Sequence, residues 1–285
     1  MFAITGATGQ LGRLVIEVML KSVAAKEIVA VARSPDKAAD LAARGLIVRQ
    51  GNYAQPTTLD EAFIGVEKLL LISSSEVGQR DAQHQAVINA ARHAGVKLIA
   101  YTSLLHADCS PIGLAVEHRA TEAALKASGI PFVILRNGWY SENYAASIAS
   151  AIEQGIFFGA AGEGRIASAT RQDYAEAAAA VLIKENQAGK IYELAGDNAY
   201  TLTEFSRQIS ASSGKPVSYQ NLSEADFVSL LKEAGLPDDL ASMLADADYS
   251  ASKQSLFDDS HTLSRLIGRS TTPWQQTIEM SIKHL

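Results

Sequence analysis

Short apolar runs alternate with segments of helical period along the first half of the chain, the pattern of successive strand, helix and strand units that close into a parallel sheet. Strands are predicted at Phe2 to Thr5, Glu27 to Ala32, Ile47 to Gln50, Lys68 to Ile72, Lys97 to Thr102 and Phe132 to Leu135. Helical periods occupy Leu11 to Leu20, Ala38 to Ala43, Ala82 to His93 and Ala115 to Ser128. Gly95 follows the third of these, and Gly129 and Pro131 follow the fourth. Glycine suits a left-handed helix end, and proline stops the next turn.

After Leu135 the rhythm loosens. Gly155, Gly159, Gly162 and Gly164 crowd one stretch, then Asp173 to Lys184 reads as a helix and Lys190 to Leu194 as a strand returning to the main sheet. From Thr201 onward the pattern is mostly helical, with a capping-box start at Thr201-Leu-Thr-Glu204 and a weaker one at Ser223-Glu-Ala-Asp226. The acidic stretch Asp238 to Asp248 reads either as a mobile loop or as a solvated surface. The expected fold class is α/β, a Rossmann-type doubly wound parallel sheet with a smaller, mostly helical C-terminal domain. Residues 1–136 are expected to form the sheet domain, with 157–196 partly returning to it, and 197–285 the smaller domain.

Composition narrows the function classes. The 285 residues are 47% hydrophobic and 20% charged, the balance of a soluble chain with a sizeable core. Lys and Arg total 25 against 31 Asp and Glu, a net charge of −6 with no basic block, so nucleic acid is not an expected partner. Cys109 is the only cysteine, which rules out an intrachain disulfide and fits a reducing compartment. Met1-Phe-Ala-Ile-Thr-Gly6 has no basic leader, and no later stretch approaches the ~18 apolar residues of a membrane span. A cytoplasmic protein without a membrane partner is expected; oligomeric state is not legible.

The chemistry begins at Thr5-Gly6-Ala7-Thr8-Gly9-Gln10-Leu11-Gly12, between the first predicted strand and the first predicted helix. Glycines at this spacing let backbone N–H groups meet a pyrophosphate at the positive end of a helix, so Gly6 to Leu11 are the expected cofactor cradle. Gly12 is read as a helix-to-strand packing position. A Walker-type loop would need Gly-Lys-Ser or Gly-Lys-Thr; Arg13-Leu14 follows Gly12 here, which argues against triphosphate hydrolysis. About 20 residues past the loop, where a carboxylate would accept the ribose 2′-hydroxyl of NAD, the second strand ends in Val31-Ala32-Arg33-Ser34. A guanidinium there pairs with a 2′-phosphate, so NADP is the expected cofactor, with Lys37 adding charge. The alternative for Arg33 is an ordinary solvated arginine.

Thr5 to Gly12, Arg33, Leu71-Ile72-Ser73-Ser74-Ser75, Tyr101-Thr102-Ser103 and Leu135-Arg136-Asn137-Gly138-Trp139-Tyr140 together resemble the NmrA-like branch of the atypical short-chain dehydrogenases/reductases, over nearly the whole chain. Within it, Val66 to Gln79, Ala100 to Asp108, Arg136 to Tyr144 and Tyr219 to Asp226 are similar to bacterial quinone-reducing members. The resemblance implies a Rossmann domain holding NADPH, a small C-terminal domain, and a cleft between them in which a quinone sits over the nicotinamide. It also implies that Ser73, Ser74, Ser75, Asn137, Gly138, Trp139 and Tyr140 line the ribose and nicotinamide half of the cofactor. For Ser73, Ser75 and Ser103 a strand-end or capping role is an equal reading.

Typical short-chain dehydrogenases place Tyr-x-x-x-Lys on the helix after strand five, the lysine lowering the phenol's pKa for proton exchange with a carbonyl. Leu114 to Glu122 contains neither residue, whereas Tyr249-Ser-Ala-Ser-Lys253 matches the spacing far away and is read as chance. Hydride transfer to a quinone remains feasible, because the reduced product is a stabilised anion, and it needs no flavin. Candidate proton donors or orienting groups are His106, Tyr140 and Asn143; His106 is alternatively a loop-packing residue. Trp139 and Tyr140 offer either a flat wall for a planar ring or packing between the lobes. His106 and Cys109 are not backed by a second ligand pair, so no metal is expected. His118 beside Glu117 is read as an exposed helix pair. The competing reading is a non-catalytic NADP(H)-sensing regulator, and an isoflavone-reductase-like enzyme also fits the fold.

Overall fold

Alternation along the strands builds one sheet with two buried faces. The computed structural model describes residues 1–285. In chain order the elements are β1 (Phe2–Ile4), α1 (Gln10–Met19), β2 (Ile28–Ala32), α2 (Ala39–Ala43), β3 (Ile47–Gln50), α3 (Pro56–Ala62), β4 (Lys68–Leu71), α4 (Arg80–His93), β5 (Leu98–Leu104), α5 (Ala115–Ala127) and β6 (Phe132–Asn137). There follow α6 (Ser141–Ala145), α7 (Ile148–Gln154), β7 (Ile156–Gly159), α8 (Arg171–Ile183), β8 (Ile191–Leu194), α9 (Leu202–Ser213), β9 (Ser218–Asn221), α10 (Glu224–Glu233), α11 (Asp238–Ala251), α12 (Thr262–Ile267) and α13 (Trp274–Lys283). No helix is long and apolar enough to cross a membrane.

The main sheet has the order β3-β2-β1-β4-β5-β6-β8 and is parallel from β3 to β6. Strand order reverses between β1 and β4, so their carboxyl ends diverge into the crevice where open α/β sheets bind ligands. One face of the sheet presents Ala3, Val29, Val31, Leu69, Leu71, Ile99 and Tyr101 to Leu59 of α3, to Phe63 just beyond it, and to Val87 and Ile88 of α4. On α1, Leu11, Val15, Ile16 and Met19 share a buried stripe. Each such side chain contributes about 1.5–3 kcal/mol through the water it sheds. The predicted return strand is β8, at the far edge of the sheet.

The chain divides into two compact units. The first holds residues 1–107, 116–137 and 171–192; the second holds 108–115, 138–170 and 193–285. In the second unit β7 pairs parallel with β9, and Tyr144, Phe157, Tyr200, Phe205 and Trp274 form a chain of ring contacts, with Tyr200 and Trp274 centroids 4.6 Å apart. The capping box at Thr201 and Glu204 is present, and Ser223 caps α10 by accepting from the Asp226 N–H. The acidic stretch from Asp238 is not a loop. It is α11, because Ala241, Ala245, Ala247, Asp248 and Ala251 recur at helical spacing and are buried.

Candidate functional site

The glycine loop is pinned at both ends before any ligand is considered. Thr5 Oγ1 donates to the Leu70 carbonyl at 3.1 Å and accepts from the Ile72 N–H at 3.0 Å, which ties the end of β1 to the end of β4. Gly6 turns with φ +58°, a conformation that favours glycine, and the Gly9 N–H donates to the Gly6 carbonyl. Gly9 then serves as N-cap of α1 with no capping side chain and no acidic residue in the first turn. The first N–H groups of α1 therefore keep their positive potential for an anion.

The third glycine has a different duty from the one its spacing suggests. A Cβ on Gly12 would lie 2.3 Å from the Gly6 carbonyl oxygen and 2.9 Å from Ala7 Cα. Gly12 thus lets α1 close on the loop's own backbone, not on a strand. A Cβ on Gly9 would meet only the Gly6 oxygen, at 3.2 Å.

Arg33 follows β2 directly, is largely exposed, and donates to Glu76 Oε1 at 2.6 Å. Lys37 offers its carbonyl to Arg13, whose guanidinium also pairs with Asp40 at 2.6 Å. Beyond β4 the serine turn is held from below. The Ser73 N–H donates to Thr102 Oγ1, the Ser74 N–H donates to His84 Nε2, and the Ser74 carbonyl accepts twice from buried Arg80. Because Nε2 accepts, the proton of neutral His84 sits on Nδ1, which donates to Thr121 Oγ1 at 2.9 Å. Burial, reinforced by the Arg80 charge, drives the His84 pKa down to about 3, so the ring stays neutral at pH 7. Tyr53 closes the same turn by donating to the Ile72 carbonyl.

At the ends of β5 and β6 a buried ion pair replaces the expected surface chemistry. Glu122 of α5 accepts from Arg136 Nε at 2.9 Å, from its second nitrogen at 2.8 Å, and from Ser103 Oγ at 2.7 Å. Ser103 is therefore a structural hydroxyl. His118 is buried, not exposed, and shares a 2.7 Å hydrogen bond with the Tyr101 hydroxyl. Its pKa is depressed to about 3, first by burial and then by Arg80 and His84. Glu117 is taken up by Arg80 and by the Gly78 N–H. The Leu105 N–H donates to the Asn137 carbonyl, and His106 next along the chain has φ +52°. Asn137 is buried with no partner for Oδ1. A buried acceptor of that kind fits the amide N–H₂ of a nicotinamide, and the uncapped α1 fits a pyrophosphate.

Gly6 to Leu11, Arg33, Ser73 to Ser75, His106 and Asn137 thus share the carboxyl edge of one sheet. Gly138, Trp139, Tyr140 and Asn143 belong to the second unit. There the Gly138 N–H donates to the Leu194 carbonyl, the Ala169 N–H to Trp139, and the Ser141 N–H to Ala169. The Trp139 ring is buried 6.5 Å from Tyr144, so its apolar face serves the core of its own unit. Tyr140 and Asn143 are half-buried. Tyr249 and Lys253 lie on and just beyond α11, with the ammonium 4.1 Å from the ring centroid.

Asp248 was not singled out by its sequence context, yet it is the second unit's buried carboxyl. It accepts from the Tyr144 hydroxyl at 2.6 Å and from the Ala160 N–H at 3.0 Å. Burial raises its pKa to about 6, against the opposing pull of these two donors. An acid that binds its proton more tightly folded than unfolded loses stability as pH rises through that window. Relative to Asp248→Asn, the parent is expected to lose about 2 kcal/mol of unfolding free energy between pH 4 and pH 7, read from urea denaturation. A difference between the two proteins that does not change with pH would contradict this assignment.

A reversed-order parallel sheet with an uncapped glycine turn at its switch point defines a dinucleotide-binding protein of Rossmann type. The chain belongs to the NAD(P)H-binding family, whose sequence profile matches residues 6–185. It is 62% identical over 285 residues to quinone oxidoreductase 2 of Escherichia coli, covering all of this chain and 98% of that one. Its structure is similar to the crystal structure of the NADPH-dependent quinone oxidoreductase of Escherichia coli complexed with NADPH, with TM-score 0.95, 61% identity and coverage of 100% and 99% of the two chains. It is also similar to the triphenylmethane reductase of Citrobacter sp. complexed with NADP(H), with TM-score 0.95, 40% identity and coverage of 99% and 100%.

Proposed function

We propose that the protein is an NADPH-dependent quinone reductase that works by direct hydride transfer without a flavin. The observation that carries this reading is on α5. At the place where an acid–base pair would be needed for carbonyl chemistry, His118 and Glu122 are consumed by buried bonds to Tyr101, Ser103 and Arg136. An intact cofactor cradle beside a helix with no proton to give suits an acceptor that needs little protonation, and a quinone is one. The full-length likeness to a quinone oxidoreductase supports the same substrate class.

Bound NADPH would supply the hydride. The chain's own part is placement. The α1 N–H groups hold the pyrophosphate, Arg33 the 2′-phosphate, and Asn137 Oδ1 the carboxamide, with the Ser73 to Ser75 turn lining the ribose side. Tyr140, Asn143 and His106 are each a candidate donor or orienting group for a quinone carbonyl. Orientation of two bound reactants is itself a large part of such catalysis.

Deuterium at the transferred position of NADPH tests the step. In single turnover with excess quinone, a several-fold slowing supports direct hydride transfer, and an isotope-insensitive rate excludes it as the observed step. Tyr249→Phe is expected to leave steady-state turnover within about twofold of the parent, since that phenol stands on α11 under Lys253. A large loss of turnover with intact NADPH binding would restore a phenolic acid to the mechanism.

A further inference from the structure

We propose that Glu76 sets how strongly the protein prefers phosphorylated dinucleotides, by occupying Arg33 until a 2′-phosphate displaces it. The proposal rests on the reading of Arg33 as the phosphate site. Arg33 is exposed to solvent, but its charge is paired. Its guanidinium already donates to Glu76 Oε1 at 2.6 Å, across from the turn that follows β4. The other carboxylate oxygen, Oε2, accepts from Gln83 Nε2 at 2.6 Å.

Gln83 makes this more than a chance surface pair. It is buried, and its Oε1 has no partner, an arrangement that costs stability and that an apolar residue of similar length would avoid. What Gln83 gains is the bond to Glu76. The turn carrying Glu76 is fixed in turn by the Ser74 bonds to Arg80 and His84, by the Glu76 N–H donating to Ser74 Oγ, and by the Gly78 bond to Glu117. A buried amide on α4 and a rigid turn together therefore aim one carboxylate at the cation that would recognise the phosphate.

Two consequences follow from charge alone. Exposed ion pairs are weak, so a dianionic phosphate can take the guanidinium from Glu76. The displaced carboxylate then remains beside the phosphate and repels it. NADH has no 2′-phosphate, disturbs no pair, and is indifferent to Glu76. Glu76 is thus a specificity-determining residue that lowers the affinity for NADPH while Arg33 raises it.

The experiment measures dissociation constants for NADPH and NADH, by cofactor fluorescence, in the parent, Glu76→Gln, Gln83→Met, Arg33→Ala and the Arg33→Ala/Glu76→Gln double variant. Glu76→Gln is expected to tighten NADPH roughly three- to fivefold, less at high salt, and to leave NADH within about twofold. Gln83→Met, which frees the carboxylate without removing it, is expected to act in the same direction and less. The gain is expected to vanish in the double variant when it is compared with Arg33→Ala. Weaker NADPH binding in Glu76→Gln, an equal change for both cofactors, or a gain that survives without Arg33 would overturn the proposal. If Arg33→Ala alone fails to weaken NADPH more than NADH, the phosphate-site reading has failed, and the role of Glu76 falls with it.

Discussion

Gly9→Val is expected to reduce NADPH affinity by about a hundredfold or more while the protein remains folded. Gly9 has φ −78° and ψ 169°, a conformation any residue adopts, so the backbone itself does not object to a side chain. Loss of a glycine N-cap to valine costs on the order of 1 kcal/mol of helix stability, which a sheet of this size absorbs. The isopropyl group would instead fill the space in front of the first N–H groups of α1, where the pyrophosphate must sit. Gly12→Ala is the contrasting control: its Cβ meets loop backbone at 2.3 Å, so it deforms the cradle itself and is expected to lower thermal stability as well as binding. Cofactor fluorescence and a melting curve separate the two. A folded Gly9→Val that binds NADPH like the parent would show that the loop is not the phosphate cradle.

Arg33→Ala is expected to weaken NADPH binding by one to two powers of ten and to leave NADH nearly unchanged. The charge-assisted contact it removes is worth ~1.5–3 kcal/mol. With a net charge of −6 the chain offers no general attraction for NADPH, so discrimination has to come from local groups. An equal loss for both cofactors would mean that Arg33 only stacks on adenine, and no loss for either would make it a bystander.

Much of the cofactor half was legible in the sequence, because its signals are local. Apolar runs located β1 to β6 and β8, although β5 and β6 run on to Leu104 and Asn137, polar and aromatic residues notwithstanding. The glycine spacing announced the turn, since positive φ at Gly6 and an uncapped helix are requirements of a few consecutive residues. Groups that act across long separations carried no such signal. The Arg33–Glu76 pair spans 43 positions and the Tyr144–Asp248 bond 104.

Burial decided the remaining differences. His118 looked like a solvated neighbour of Glu117, but α5 turns it inward to Tyr101. The Asp238 stretch read as a mobile loop or a solvated surface because its buried face is mostly alanine, whose weak hydrophobic signal is outweighed by the aspartates around it. The short ribbon of β7 and β9 was missed because Ser218 to Asn221 is polar and mostly exposed, with no period for a strand to show.

The most direct measurement is the steady-state rate at which the purified, flavin-free protein oxidises NADPH in the presence of simple quinones, with NADH run in parallel. Oxidation of NADPH well above the uncatalysed rate, with NADH far less effective at low concentration, is the predicted result. A protein that binds NADPH tightly and leaves it unoxidised with every quinone would contradict the assignment and identify a dinucleotide sensor instead.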